Sequence, residues 1–471
     1  MPVKQGKRRF GMNDTKTINE NPLGTEKIGK LILTYALPSV VSMIVNALYN
    51  IVDQIFIGQG VGYLGNGATN VILPITVLGC ALGLLLGDGG ATYLSLQLGR
   101  GKKEEASKGV AHVLVGQFAI GILMCIILLV FLEPLCLLFG ATENILPYAK
   151  DYGRIIALGF PIVVFSSGMS SIIRADGSPK LSMVGLLAGC IVNVVLDAVF
   201  VLGFDWGVEG AAAATIIGQY LNGIIFLVYQ WHYKQVKLKK EYFRVRLSVF
   251  KKICGLGLSS FITQMATVVV MTVLNRLLVH YGALSKYGED IPITALGVTM
   301  KINNILLAVF TGVATGCQPI ISFNYGSGQK ERCLQTFQWA VIVTTVCAAI
   351  ATFFFQSFPM AIVSIFGTES DLYNEFSVKC LRVFLMLCIF DGFNNVSVSF
   401  LQAIGKPVQA CLATLIRQAV TIILAALIFP LFFGIDGVLY SGPFAVSVSA
   451  VIIFFIILPQ LKRVKAGKEH K

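Results

Sequence analysis

A carboxylic acid and an amide interrupt an otherwise apolar run of the chain. Residues 190–203 read CIVNVVLDAVFVLG, in which Asn193 and Asp197 are four positions apart. On a helix this spacing places both side chains on one face. An ionisable group at the centre of a membrane helix costs roughly 2.5–3.5 kcal/mol on insertion scales, so it usually faces a protein-lined cavity and indicates the path of an ion or substrate.

A second polar stripe runs along the first apolar segment and also ends in an acid. Its members recur at steps of four, three and four residues, the spacing of one helix face, and are Ser42, Asn46, Tyr49 and Asp53. Two helices that each carry an acid on a polar face predict a shared wet pocket inside a helical bundle. The alternative is a pair of structural polar contacts between helices.

Two neighbouring buried acids favour the binding of one cation. Burial disfavours an ionised carboxyl group, and two adjacent carboxylates resist ionising together. We therefore expect Asp53 and Asp197 to hold a proton near neutral pH. If a cationic solute competes for the same pocket, proton and solute exclude one another. Exclusion combined with alternating access is antiport, because a ligand shifts an equilibrium only through its different affinity for the two states.

The composition shows which elements must position these residues. Of 471 residues, 55% are hydrophobic and 13% are charged, and the mean hydropathy is +0.77. This exceeds what one soluble core uses and predicts an all-α integral membrane protein. Runs of the ~20 apolar residues that cross a bilayer number twelve, at about 31–57, 68–98, 107–132, 148–173, 181–204, 210–232, 254–281, 291–322, 334–358, 374–402, 408–433 and 437–460.

The net charge of +13 is distributed as in a membrane protein and not as in a nucleic-acid-binding protein. Bases cluster in the first 30 residues, in alternate loops and after residue 461, whereas the intervening loops carry acids such as Asp205 and Asp436. By the positive-inside rule, both termini lie in the cytoplasm of a multi-pass plasma-membrane protein. We expect membrane lipids as partners, no nucleic acid, and a monomer.

The chain repeats itself. LQLGRGKKEEA from Leu96 aligns with FNYGSGQKERC from Phe323 at an offset of 227 residues. The same offset aligns 139–140 with 366–367 and 207–210 with 434–437, and an offset of 228 aligns Gly177 with Gly405. Six spans return each half to the cytoplasm, so the repeat predicts two six-helix lobes related by a pseudo-two-fold axis along the membrane normal.

The repeat also predicts the division of the chain. We expect a cytoplasmic basic tail at 1–30, an N-lobe of six spans at 31–232, a cytoplasmic basic linker at 233–252, a C-lobe of six spans at 253–461 and a second tail at 462–471. The alternative for the basic linker is an amphipathic helix on the lipid surface, which is compatible with a linking role.

Several motifs in order carry a family resemblance. The segments are YNIVDQIFIG, GRGKKEEA, RADGSPK, NVVLDAVFVLG and GVEGAAAAT. With the halved repeat they resemble the multidrug and toxic compound extrusion (MATE) family over about 22–460, and within it the MepA-like branch. The resemblance implies outward export of amphipathic, often cationic organic compounds, including drugs and antibiotics, driven by inward flow of protons or sodium ions.

The resemblance also implies site residues. It assigns cation coupling to Asp53 of the first span, Asn193 and Asp197 of the fifth, and the hydroxyl of Thr215 in the sixth. It also assigns coupling to Asp391, which stands where the NorM branch has a C-lobe acid. The seventh span offers Gln264 and Thr267 where the NorM branch has a Glu, which favours protons over sodium. We expect the substrate to contact Asn46, Tyr49, Asp197 and Gln264.

Other functions lack a sequence signal. A flippase for a lipid-linked saccharide or lipid is the alternative function of a related fold, but it would favour a strongly basic cavity and often fourteen spans. The sequence contains no GxSxG, HExxH or P-loop motif, so we expect no enzyme. Histidines occur only at 112, 232, 280 and 470, so we expect no metal site and no cofactor beyond the coupling ion. Three charged residues inside spans stay unassigned: Asp88, Lys301 and Arg417. Asp88 either lines the cavity or caps a broken helix, and Arg417 is a candidate partner of Asp391.

Overall fold

The chain is represented by a computed structural model that describes residues 21–244, 246–288, 290–365 and 370–466, and in this part all regular structure is helical. The tail up to residue 20, the repeat partner at 366–367 and the tail from 467 lie outside the described residues. Eleven of the described helices are long and apolar enough to cross a membrane. This confirms the predicted all-α membrane fold.

The N-lobe contains the first six membrane helices. They are α1 (Ile28–Gly60), α2 (Tyr63–Gly99), α3 (Lys103–Leu138), α4 (Leu146–Ala175), α5 (Pro179–Asp197, continued by a π-helical turn at Ala198–Gly203) and α6 (Gly207–Tyr229). A short helix, Pro22–Thr25, precedes α1. In this lobe α4 packs against α2, α3 and α6, and α5 packs against α1 and α6.

The C-lobe contains the other six. They are α7 (Leu247–Ala283), α8 (Asp290–Gly326), α9 (Lys330–Ser357), α10 in two pieces (Asp371–Phe384 and Ile389–Ala403), α11 (Pro407–Leu415, a π-helical turn at Ile416–Val420, and Thr421–Ile428) and α12 (Ile435–Lys465). Short helices at Pro359–Ser364 and Pro430–Phe433 follow α9 and α11. With α10, the described residues contain twelve membrane helices.

The predicted tenth span is broken. At the break the Leu385 amide still donates to the Leu381 carbonyl at 3.3 Å, but the Cys388 amide donates to Leu385 at 3.3 Å, so the i→i−4 pattern tightens to i→i−3. A Cβ on Gly442 of α12 would lie 2.9 Å from the Phe384 carbonyl oxygen. This glycine therefore allows α12 to pack directly against the backbone where α10 breaks.

The two lobes meet along α1 with α8 and along α2 with α7 and α8. Glycines make the contact: a Cβ on Gly312 would lie 2.5 Å from the Cα of Val40, and a Cβ on Gly89 would collide with the Ile253 carbonyl. These contacts lie at the end of the bundle where α1 and α7 begin and α2 and α8 end, which we call the linker end. The opposite end is the far end. Among the described residues, the hydrogen bonds that join the lobes all lie at the linker end.

The linker is fastened to the N-lobe. The Asp176 carboxylate accepts hydrogen bonds from the backbone amides of Lys234 (2.7 Å) and Gln235 (2.9 Å). At the other end of the linker, the Arg246 amide donates to Nε2 of His112 at 2.7 Å. Helix α7 begins at Leu247, inside the linker predicted at 233–252, so the connection between the lobes is shorter than predicted. Its described part is a short extended segment with one helical turn at Lys240–Phe243.

Candidate functional site

Two acids from different helices meet in the far-end half of the N-lobe. The carboxyl groups of Asp53 in α1 and Asp197 in α5 lie within hydrogen-bonding distance of each other. Asp197 is 0% exposed. One buried oxygen of each acid has no donor among the described residues. A proton held between the two carboxyl groups would satisfy both oxygens, because a protonated carboxyl donates where a carboxylate only accepts.

An amide and a hydroxyl orient one of these acids. The Asn193 amide lies 3.3 Å from Oγ1 of Thr215 in α6. With its NH2 group turned toward Asp197, Asn193 donates to Oδ2 of that acid at 3.2 Å and accepts from the Thr215 backbone amide at 3.1 Å. The structure thus brings four of the predicted residues together, and we call Asp53, Asn193, Asp197 and Thr215 the carboxyl cluster.

The local backbone explains why the acids meet. Asp197 is the last α-helical residue of α5, and the wider π-helical turn begins at Ala198. Such turns are rare and frequently occur at functional sites. A Cβ on Gly60 would collide with Val201 inside this turn. The absence of a side chain at Gly60 therefore lets α1 approach α5, which brings the preceding part of α1, with Asp53, beside Asp197.

Two phenols lie close enough to both acids to interact with them electrostatically. They are Tyr49 of α1, which the stripe predicted, and Tyr152 of α4, which sequence reasoning missed. Tyr152 gave no signal because an isolated aromatic residue in an apolar helix usually serves packing. Among the ion pairs of the described residues, none brings a lysine, arginine or histidine to either acid.

Other predicted site residues lie elsewhere. Asp391 stands in the first turn of the second piece of α10 and interacts electrostatically with Arg417 in the π-helical turn of α11. The two do not form a direct ion pair within the part of the chain that the structure describes. Gln264 is half-buried on α7, and Asn46 is half-buried on α1 one turn before Tyr49. No described hydrogen bond joins either amide to the carboxyl cluster.

Asp88 lies between the two lobes. It is buried at the linker end, where Ser171 of α4 donates to its Oδ1 at 2.6 Å and Ser260 of α7 donates to its Oδ2 at 2.7 Å. The Arg174 guanidinium donates to Ser171 at 2.8 Å and is itself buried. We call Asp88, Ser171, Arg174 and Ser260 the seam network, because it links the N-lobe to the C-lobe.

The carboxyl cluster can hold one cation. Asp197 is buried and Asp53 half-buried beside it, and no described basic side chain pairs with them. A proton or a small oxygen-coordinated ion would reduce the repulsion between the two acids. The seam network needs no such ion, since a fixed guanidinium already lies beside its acid. The two sites therefore differ in whether a described basic side chain lies beside the acid.

Comparison with known proteins agrees with this architecture. A model of the MatE family matches residues 38–199 and 255–427. The multidrug export protein MepA of Staphylococcus aureus (strain MSSA476) is 26% identical over 436 residues, covering 91% of this chain and 93% of that protein. Its counterpart from Staphylococcus haemolyticus is 25% identical, covering 94% and 96%.

Solved structures show the same fold. An outward-facing multidrug resistance MATE family transporter of the MOP superfamily superposes with a TM-score of 0.87 at 22% identity, covering 97% of this chain and 100% of that one. A MATE structure in a bent conformation gives a TM-score of 0.86 at 21% identity, covering 97% and 99%. The predicted two-lobe fold and family resemblance are confirmed, and the chain belongs to the MatE family, the multidrug and toxic compound extrusion family that its motifs resemble.

Proposed function

We propose that this protein is a cation-coupled antiporter that exports amphipathic, often cationic organic compounds by alternating access. The observation that carries the proposal is the carboxyl cluster, in which the half-buried Asp53 lies beside the buried Asp197 and no described basic side chain pairs with either acid. The relatives named multidrug export proteins support the substrate class. The distribution of bases supports a plasma-membrane protein with both termini in the cytoplasm.

Coupling follows from competition at the cluster. With a proton between Asp53 and Asp197, the pair carries one negative charge fewer and attracts an organic cation less. When a cationic substrate binds nearby, it stabilises the ionised pair and favours loss of the proton. Asn193 and Thr215 contribute by holding Asp197 in one orientation. Each ligand therefore lowers the affinity for the other, which is the condition for exchange.

Substrate contact extends from the carboxyl cluster to polar residues of both lobes. Tyr49 lies beside the acids and presents a ring face of the kind that attracts organic cations. Asn46 on the same helix and Gln264 on α7 of the other lobe are half-buried polar groups that a bound compound would contact. Because Asn46 and Gln264 belong to different lobes, a substrate that contacts both senses the lobe arrangement.

Alternating access requires the linker end to open. Its contacts are close backbone approaches at glycines together with a few hydrogen bonds, so the lobes can separate there as rigid bodies. In transporters built from repeats, such rocking around a fixed site moves access from one side of the membrane to the other. A closed linker end corresponds to a site that opens at the far end.

Protons are favoured over sodium as the coupling ion. Sodium prefers several oxygen ligands. At the position where the NorM branch has a Glu, α7 supplies the amide of Gln264 and no carboxylate, which disfavours a sodium site of that kind. The carboxyl cluster itself offers two acids at hydrogen-bonding distance, the geometry of a shared proton.

The test is dye transport in proteoliposomes with a pH gradient and a sodium gradient imposed separately. The proposal expects ethidium movement driven by the pH gradient, and loss of this movement in Asp197→Asn. Asp205→Asn is a matched control, since it removes an acid from an exposed loop and Asn tolerates the positive φ of 53° there. Transport in neither gradient across a broad panel of organic cations would contradict the proposal.

A further inference from the structure

A groove on the outside of the N-lobe lies away from the carboxyl cluster. It has a volume of about 870 Å³ and runs between the linker-end parts of α1, α5 and α6. Its walls are apolar and exposed, since Val184, Ile224 and Val228 are each about half accessible. In a membrane protein such a groove on the outer surface faces lipid.

Basic groups surround one end of this groove. Lys180, His232 and Lys234 all line it and are exposed. The Lys234 ammonium lies 3.3 Å from the Gly177 carbonyl oxygen, and among the described ion pairs neither lysine contacts a carboxylate.

The nearest acid is already engaged. Asp176 is fully buried and accepts hydrogen bonds from the Tyr229 hydroxyl at 2.6 Å and from the Lys234 and Gln235 amides. Burial raises the pKa of Asp176, while these hydrogen bonds lower it in part. The lysine ammonium groups therefore keep donors free for an anion from outside the protein.

A tryptophan indicates the depth of the groove in the membrane. Trp231 precedes His232 at the end of α6 and is 80% exposed. Exposed tryptophans concentrate at the headgroup level of the bilayer. The basic end of the groove is thus at headgroup depth, and its apolar walls extend toward the acyl chains.

The other lobe lacks one of these bases. At the repeat offset of 228 that aligns Gly177 with Gly405, Lys180 corresponds to Val408, which is 71% exposed. The equivalent turn of the C-lobe instead carries Lys406, at the position of Ser178, so the base at position 180 is particular to the N-lobe.

We propose that this groove binds one anionic phospholipid from the leaflet at the linker end. The phosphate lies between the Lys180 and Lys234 ammonium groups, and an acyl chain lies along Val184, Ile224 and Val228. Charge complementarity selects the lipid class, because a zwitterionic headgroup offers no net charge to the basic cluster. The site is separate from the proposed transport site and does not depend on it.

The test is native mass spectrometry of the full chain released from nanodiscs of equal phosphatidylglycerol and phosphatidylcholine. Wild type should retain phosphatidylglycerol preferentially. The double variant Lys180→Gln/Lys234→Gln should lower that retention about tenfold. The matched control Lys406→Gln/Lys462→Gln removes two bases from the linker end of the other lobe and should leave retention within about twofold.

Three outcomes would overturn the proposal. They are equal retention of the two lipids by wild type, equal losses in the two double variants, and displacement of phosphatidylglycerol by excess inorganic phosphate, which would indicate a site for the free anion. Unchanged thermal unfolding of the groove variant shows that a loss of lipid does not come from misfolding.

Discussion

Two buried acidic sites of the N-lobe differ in what surrounds them. In the carboxyl cluster, Asp53 and Asp197 face each other, and no described cationic side chain pairs with them. In the seam network, Asp88 accepts from Ser171 and Ser260 on its two oxygens, with the Arg174 guanidinium beside them. Asp88 and Asp197 are both buried and Asp53 is half-buried, so the main difference between the sites lies in the charges around the acids.

The contrast is between an acid with a basic side chain beside it and a pair of acids with none among the described residues. A buried acid with its own arginine is compensated in every state of the protein, and removing either partner leaves a buried charge unpaired. A buried pair of acids without a cation is compensated only when a mobile cation arrives. Sequence alone did not make this distinction, because both sites appear there simply as an aspartate in an apolar span.

The C-lobe holds an intermediate case. Asp391 interacts electrostatically with Arg417. As with Asp88 and Arg174, no direct ion pair joins the two among the described residues, but here no described side chain donates a hydrogen bond to the carboxylate, whereas Ser171 and Ser260 donate to Asp88. Arg417 lies in the π-helical turn of α11, and α5 has a similar π-helical turn directly after Asp197. The second lobe thus repeats the helix feature while adding a fixed positive charge near its acid.

The largest expected effect is at the carboxyl cluster. Asp197→Asn keeps the size of the side chain but removes one of the two charges, so proton and substrate no longer compete. We expect pH-driven ethidium transport to fall to the level of empty liposomes, with the thermal unfolding midpoint close to wild type. Full transport in this variant would remove Asp197 from the coupling role.

The seam network should respond in stability. Asp88→Asn removes the acid beside the buried Arg174 guanidinium. Because Ser171 bridges the two groups and no direct ion pair joins them among the described residues, we expect a cost below the roughly 3–5 kcal/mol of breaking a directly paired buried charge. We expect a clearly lower unfolding midpoint in detergent, and a smaller loss in Asp88→Asn/Arg174→Gln. A double variant that is less stable than Asp88→Asn would show that the two charges do not compensate each other.

Asp391 should show an effect between these two. The resemblance assigns it to cation coupling, whereas the nearby Arg417 already supplies a positive charge. We expect Asp391→Asn to reduce the initial rate of ethidium transport in proteoliposomes less than Asp197→Asn does, with the driving force still the pH gradient. An equal loss in both variants would place the C-lobe acid in the coupling site and show that the nearby Arg417 does not set it apart from Asp197.

The smallest effect is expected at Thr215. Thr215→Val keeps the shape of the side chain and removes one hydroxyl hydrogen bond to Asn193, a contact of about 0.5–1.5 kcal/mol. The pH at half-maximal transport should shift by less than one unit, with the maximal rate retained. Abolished transport with normal folding would mean that the hydroxyl is itself a ligand of the coupling ion.

The sequence predicted the elements better than their contacts. The spacing of Asn193 and Asp197 and the stripe ending at Asp53 indicated a shared pocket because helical periodicity encodes which residues share a face. Thr215 entered through the family resemblance alone. The partners of Asp88 were not predictable, since periodicity does not say which faces of α2, α4 and α7 meet.

Backbone irregularities were also beyond the sequence. The break in α10 and the π-helical turn after Asp197 involve no proline, and neither residue run differs in composition from the helices around it. The repeat, in contrast, predicted the two lobes because loop motifs at one nearly constant offset reflect a duplicated fold.

Proton release on substrate binding tests the central claim most directly. Calorimetric titration of the purified protein with ethidium, in buffers of different ionisation enthalpy, counts the protons released for each substrate bound. The account predicts release of about one proton near neutral pH in wild type and none in Asp197→Asn, because cation and substrate exclude one another at the paired acids. Binding without proton release in wild type, or the same release in both proteins, would contradict it.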